Sequence, residues 1–235
     1  MPTTIKGQPT SAEVLRRLAG LGEPVFLSFS TGKDSAACWL AMREAGIPVL
    51  PVYFYLVPGL GFVDRTLDWY EGFMGQRIVR YPHPSIYRML EANVFQTPER
   101  LPIIDAARLP VPDLDQEWDE IKSDFGLPGA WVADGVRASD SIERRCSLVR
   151  HGVMKEESRK ASPIADWLKG EVTDFLSARG WVPPVDYELF GRSFDGIDAR
   201  FAVPIRERFP EDYETLCEWF PLLPIDEMRL SADAG

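Results

Sequence analysis

Two apolar runs constrain the fold of this 235-residue chain more than any other feature. Pro24-Val25-Phe26-Leu27 and Pro48-Val49-Leu50-Pro51-Val52-Tyr53-Phe54-Tyr55 carry no polar face. A strand of that kind must be covered on both sides, as central strands of parallel sheets are. Between them lies a helix-like stretch, Ala36 to Ala45, with Gly46 as its stop. The alternation continues down the chain. Asp64 to Met74 reads as an amphipathic helix capped by Asp64, and Arg77-Ile78-Val79-Arg80-Tyr81 as a third strand. Pro84 to Ala92 follows as a helix, and Trp131-Val132-Ala133-Asp134 as a further strand.

The remaining segments fit around this frame. Thr10-Ser11-Ala12-Glu13 has the spacing of a capping box, opening a first helix through about Leu21. Thr97 to Pro112 is punctuated by proline and reads as irregular, and the acidic stretch Asp113 to Asp124 as a solvated helix. Glu171 to Arg179 and Asp212 to Trp219 are later helices. The expected fold is α/β: an open, mostly parallel sheet of about five strands, with helices on both faces. We expect one domain over residues 1–235, with a less regular extension from about residue 181. Ligands of such sheets bind beyond the C-terminal strand ends, where the strand order reverses. The residues after the first strand, after Tyr55, after Tyr81 and after Asp134 belong to that rim.

The first of these rim segments is Ser28-Phe29-Ser30-Thr31-Gly32-Lys33-Asp34-Ser35. A strand that runs through small residues into a helix N-terminus directs backbone N–H groups and the positive end of the helix dipole at one point, which suits a phosphate. Ser30, Thr31 and Ser35 add hydroxyls, Gly32 permits close backbone approach, and Lys33 adds a cation. Asp34 fits such a cradle as a helix cap or as the holder of a metal ion that bridges phosphates. The G-x-x-x-x-G-K-[ST] spacing of the Walker A loop is absent. In the rim segment Asp134 to Arg145, a strand ends in Gly135 and Arg137 follows two residues later. The Arg137 guanidinium offers a planar fork suited to phosphate oxygens. The competing interpretation is a surface loop whose arginines pair with Asp134, Asp140 and Glu143.

Ser30-x-Gly32-x-Asp34-Ser35 resembles the S-x-G-x-D-S loop of the PP-loop ATP pyrophosphatases. Gly135-Val136-Arg137-Ala138-Ser139-Asp140-Ser141 looks like the G-[IV]-R-x-x-[DE]-S segment of the phosphoadenosine phosphosulfate (PAPS) reductases and FMN adenylyltransferases within that superfamily. Pro163-Ile164-Ala165-Asp166-Trp167 and the helix after it are similar to a further stretch of the PAPS reductase group, with Glu171 where aspartate is common. The resemblance runs from about Val25 to Leu176 and implies the adenine nucleotide alpha-hydrolase-like, Rossmann-like fold. It implies ATP and Mg²⁺ as ligands, with Ser28, Ser30, Thr31, Gly32, Lys33, Asp34 and Ser35 around the phosphates and Gly135 and Arg137 opposite. Lys33, Asp34 and Arg137 become the candidate catalytic residues, and Asp34 the candidate Mg²⁺ holder. Thr31 departs from the pattern, because many members have glycine there. The C-terminal nucleophilic cysteine of PAPS reductases is also missing: Tyr187 to Phe201 contains none. Without a thiolate at that place, sulfonucleotide reduction is not expected. The implied activity is cleavage of ATP between the α- and β-phosphates, which adenylylates an unidentified substrate. The alternatives are an FMN adenylyltransferase-like enzyme, and a nucleotide-binding partner without turnover in a nucleic-acid modification or defence system.

Other features bound the partners. The formal charge of −10 disfavours a protein that grips nucleic acid over its whole surface, although a local contact stays open. Arg137, Arg144, Arg145, Arg150, His151, Lys155, Arg159 and Lys160 form a basic cluster that suits a small anionic second substrate, with Glu143, Glu156 and Glu157 interleaved. Arg144, Arg145 and Cys146 are candidates for touching that substrate, as is His83 after the third strand. Cys146 is the one cysteine in electropositive company, whereas Cys38 and Cys217 read as core residues. Three dispersed cysteines fit a reducing cytoplasm better than a disulfide framework. No apolar run reaches the roughly 18 residues of a membrane helix, and no secretory signal is visible at Met1 to Gln8. Homo-oligomerisation stays open.

Overall fold

Parallel pairing of the two apolar runs organises the computed structural model, which describes residues 3–226 and 228. The chain begins with α1 (Ser11–Leu21), β1 (Val25–Ser28), α2 (Lys33–Glu44), β2 (Val49–Tyr55), α3 (Gly61–Met74) and β3 (Val79–Pro82). It continues through α4 (Pro84–Glu91), α5 (Leu101–Ala107), α6 (Leu114–Asp124), β4 (Val132–Ala133) and α7 (Ile142–His151). It then forms β5 (Met154–Lys155), β6 (Lys160–Ala161), α8 (Lys169–Ser177), α9 (Val185–Phe190), α10 (Ala199–Arg208) and α11 (Pro210–Trp219).

The strands make one six-stranded sheet in the order β3-β2-β1-β4-β6-β5. β1 runs parallel to β2, with Val25 opposite Val49 and Ser28 opposite Val52. On its other side β1 runs parallel to β4, with Phe26 opposite Val132 and Leu27 opposite Ala133. β4 is parallel to β6, and β5 pairs antiparallel at the edge. The chain therefore leaves β1 toward β2 and β3 and later returns to the opposite side of β1. The switch in strand order falls between β1 and β4, so the loops that follow these two strands share the ligand rim. The α/β sheet read from the sequence is present, with six strands where about five were expected. Two of them, β5 and β6, were not placed by the sequence reading: each is two residues long and carries a lysine, so neither has an apolar run to announce it.

The chain divides into two compact units. The first comprises Met1–Tyr53, Phe73–Arg80 and Lys122–Pro183, and the second Phe54–Gly72, Tyr81–Ile121 and Pro184–Gly235. In the first, α1 starts with the expected capping box: the Thr10 hydroxyl accepts from Glu13 N–H, and the Glu13 carboxylate accepts from Thr10 N–H. Asp166 also accepts from the Ser11 N–H at 3.0 Å, which ties the start of α1 to the segment before α8. Helix α8 is closed by Glu171, which takes the Leu168 N–H at 2.7 Å. Helix α2 buries Ala36, Ala37, Cys38, Trp39, Ala41 and Met42.

The second unit has a core of aromatic rings. Phe62 stacks on Phe209 at 5.5 Å and meets Phe194 edge-on at 5.3 Å, and Phe201 packs against both Phe190 and Phe194. Three of these rings come from Tyr187 to Phe201, the cysteine-free segment. Helix α3 begins at Gly61, three residues before the predicted Asp64 start. Asp64 does not cap it. The carboxylate of Asp212 does, accepting from the Gly61 and Phe62 N–H groups across 151 and 150 residues of sequence. Helix α6 is not fully solvated either, because Glu117, Trp118, Ile121 and Lys122 are buried. The stretch read as irregular contains the short helix α5.

Replacing Asp212 by alanine leaves two N–H groups at the start of α3 without their acceptor. We expect a loss of about 1–3 kcal/mol, read as a lower denaturant midpoint at unchanged slope. An unchanged midpoint would show that α3 does not depend on this cap.

Candidate functional site

The chain turns from β1 into α2 through Phe29, Ser30, Thr31 and Gly32. Thr31 sits at φ 58°, in the left-handed region that a β-branched residue enters only against steric resistance. Its hydroxyl donates to the Ser30 carbonyl at 2.6 Å, which helps hold it there. The position where many PP-loop proteins have glycine thus keeps a glycine-like backbone in spite of its side chain. Strain of this kind is of order 1–3 kcal/mol and concentrates at ligand clamps. Ser35 braces the turn from below: its hydroxyl donates to the Gly32 carbonyl at 2.9 Å and accepts the Ser30 N–H at 3.2 Å. The Ser30 hydroxyl stands 3.3 Å from the same oxygen. Ser28, at the end of β1, pairs with Val52. Gly32 is the N-cap of α2 and offers no side chain to the first-turn N–H groups.

A chain of alternating charges runs from this helix end to the loop after β4. Lys33 Nζ lies 2.6 Å from Asp34 Oδ2, and Arg137 Nε lies 2.9 Å from Asp34 Oδ1. Arg137 also meets Asp140 at 2.5 Å, and Asp140 in turn meets Arg144 at 2.8 Å. Three cations and two carboxylates leave this chain with a charge of +1. The Arg137 side chain is only 3% exposed. Its Nε and Asp34 Oδ1 are close but not aligned for a hydrogen bond, so charge rather than a directed bond holds them. The arginine proposed for phosphate contact is therefore paired with carboxylates on two sides. One of them, Asp140, is a partner named in the competing interpretation of this loop, although the pairing is buried rather than at the surface.

Gly135 explains how the two loops come so close. A Cβ placed there would lie 2.8 Å from the Asp34 carbonyl carbon and 2.8 Å from the Ser35 nitrogen, both backbone atoms that cannot rotate away. The glycine thus admits the first turn of α2 to the end of β4. Beside it, the Asp134 carboxylate accepts from Ser162 Oγ at 2.7 Å and from the Val136 N–H at 3.0 Å. Burial pushes the Asp134 carboxyl above its ordinary range, against the opposing pull of those two bonds and of Lys155 and Arg144. The Cys38 thiol, 3.4 Å from the Asp134 carbonyl, is raised by burial and by the same aspartate. Asp140 and Ser162 were not among the predicted site residues. The short spacing from Arg137 to Asp140 was the available signal for the first; Ser162 gave none.

Arg144, Arg145 and Cys146 sit on α7, and all three are exposed. His83 belongs to the second unit, where its Nδ1 accepts the Ser85 N–H at 3.1 Å and so caps α4. Burial, helped by Arg88, lowers the pKa of that imidazole and keeps it a neutral acceptor. Cys217 is half-buried on α11. No group of three or more His, Cys, Asp or Glu side chains gathers as a metal site among the described residues. Both oxygens of Asp34 face cations, so in this arrangement it does not fit as a direct Mg²⁺ ligand.

No family profile matches the chain, and comparison with curated proteins finds no relative. Among solved structures it is similar to the NH3-dependent NAD synthetase from Campylobacter jejuni subsp. jejuni NCTC 11168, determined in complex with the nitrate ion. The sequences are 12% identical, the alignment covers 96% of this chain and 93% of that one, and the TM-score is 0.48. Likeness at that level decides nothing about chemistry. No helix among the described residues is long and apolar enough to cross a membrane.

Gly135→Ala forces the two loops apart, and we expect it to lower stability by about 1–3 kcal/mol, as overpacking does. Gly129→Ala, which enters open space, serves as the control. Equal melting temperatures for the two variants would refute the close approach at Gly135.

Proposed function

We propose that residues 30–35 hold the phosphates of ATP, and that the protein cleaves ATP between its α- and β-phosphates to adenylylate an acceptor. The observation that carries this reading is the braced turn into α2. It is strained at Thr31, uncapped by any side chain at Gly32, and lies beside a charge chain of +1 at the switch point of the sheet. Helix dipole, backbone N–H groups and lysine add in the same direction for an anion. In this reading an acceptor oxygen attacks the α-phosphorus, the α–β bridging bond breaks, and pyrophosphate leaves. Lys33 exchanges part of its pairing with Asp34 for the phosphates and stabilises charge on the departing group. Asp34 stays in place because Arg137 holds it, so Arg137 acts as a positioning residue through Asp34. Mg²⁺ would arrive with the nucleotide's own phosphates.

The exposed arginines of α7 suit an acceptor that is itself a small anion. A second reading, nucleotide binding without turnover, is favoured by the full pairing of Arg137, which leaves no unneutralised guanidinium for the α-phosphate.

Calorimetric titration with ATP, AMP and PAPS in the presence of Mg²⁺ tests the reading. ATP should bind wild type, with Arg137→Ala weaker by roughly tenfold or more, because Asp34 then keeps one neutralising cation fewer, and Cys217→Ser unchanged. Equal ATP affinity in all three proteins would remove the site assignment. Pyrophosphate release that depends on an added acceptor separates the enzyme from the binding protein. Preference for PAPS would instead point to sulfonucleotide chemistry and to Cys146.

A further inference from the structure

The second unit contains a cavity of about 460 Å³, within the range of small-molecule sites, between α4, α6 and the proline-rich segment that precedes α6. Pro110, Val111 and Pro112 form an apolar wall, Tyr87 contributes a phenol ring, and Glu117 and Glu120 bring two carboxyls one helical turn apart. Glu117 is only 7% exposed, and no hydrogen bond or ion pair engages its side chain among the described residues. Glu117 stands in the first turn of α6, where the helix dipole favours a carboxylate, but the dipole does not require that it be buried against the proline wall. Trp118 and Ile121 already anchor that helix in the core, so burying an acidic side chain here costs hydration without adding packing that an apolar residue would not supply.

The environment of Glu117 specifies its missing partner. Burial and the neighbouring Glu120 push the Glu117 carboxyl above its ordinary value, and the charge of Glu117 in turn helps to raise the Tyr87 phenol. The two carboxyls crowd negative charge beside the neutral Tyr87 phenol, and a cation entering the cavity would relieve that crowding. A bare metal ion fits poorly, because no third His, Cys, Asp or Glu converges there among the described residues. The proline and valine wall would also stay empty around such an ion. An ammonium group on an apolar body satisfies both halves: the charge meets Glu117, and the body covers the wall and the Tyr87 ring. We propose that this cavity binds an organic cation, a protonated amine on an apolar body, with Glu117 as its counter-ion. The site stands independently of the nucleotide reading, because none of its residues belongs to the charge chain at α2.

Titration of the full chain with phenethylammonium chloride, with phenethyl alcohol as the neutral control, tests the proposal. Wild type should take up the ammonium saturably at one site and should bind the alcohol far more weakly. Glu117→Gln, nearly the same shape without the charge, should weaken ammonium binding by roughly ten- to a hundredfold. The same variant should melt near the wild-type temperature at neutral pH, because loss of the helix-dipole attraction opposes relief of a mostly buried carboxyl. Three results would overturn the proposal: no saturable ammonium binding to wild type, equal binding to Glu117→Gln, or equal binding of the alcohol.

Discussion

A guanidinium as deeply buried as that of Arg137 must be met by carboxylates, and this requirement organises the loops around the candidate site. An arginine cannot shed its proton at any ordinary pH, so its charge has to be matched where it lies. Asp140 matches it from three residues away, and Asp34 from the first turn of α2. The second pairing joins the loop after β4 to the loop after β1, the two loops that flank the switch in strand order. Gly135 makes the joint sterically possible, since any side chain there would strike the backbone of Asp34 and Ser35. Breaking one partner of such a pair strands the other charge, so each residue of the joint depends on the rest.

What the joint achieves is control of charge at a helix end. Asp34 alone, in the first turn of α2, would satisfy the helix dipole and repel phosphate. Held between Lys33 and Arg137 it is more than neutralised, and the end of α2 keeps its attraction for an anion. Ser35 and Thr31 spend their hydroxyls on the turn itself, so the donors left for a ligand are mainly backbone. The loop is thereby set before a ligand arrives, which reduces the ordering that binding would otherwise require.

Much of the frame was legible in the sequence because it is written in local chemistry. The capping box at Thr10 and Glu13, the two-sided apolar strands and the small-residue turn into α2 all lie within a few residues of what they determine. Features set by distant partners were not legible. The cap of α3 comes from Asp212, 150 residues beyond Phe62, so the nearest aspartate, Asp64, was the wrong inference. Helix α10 contains Pro204, which disguises it, and β5 and β6 are two residues each. Around the candidate site the turn from β1 into α2 and Arg137 could be named in advance as candidates, but their pairing could not. Nothing in the spacing says that Arg137 turns toward Asp34 rather than toward a ligand, and nothing in an acidic stretch says that Glu117 is buried.

The most direct test of a phosphate role for the turn into α2 is to follow backbone amide resonances of the isotope-labelled protein while ATP is added with Mg²⁺. The largest shifts should fall on Ser30 to Ala36 and on Gly135, the residues that form or touch the turn, and should saturate together. Saturable binding whose shifts leave those amides unmoved, or no binding at all, would contradict the central claim that this turn holds the phosphates.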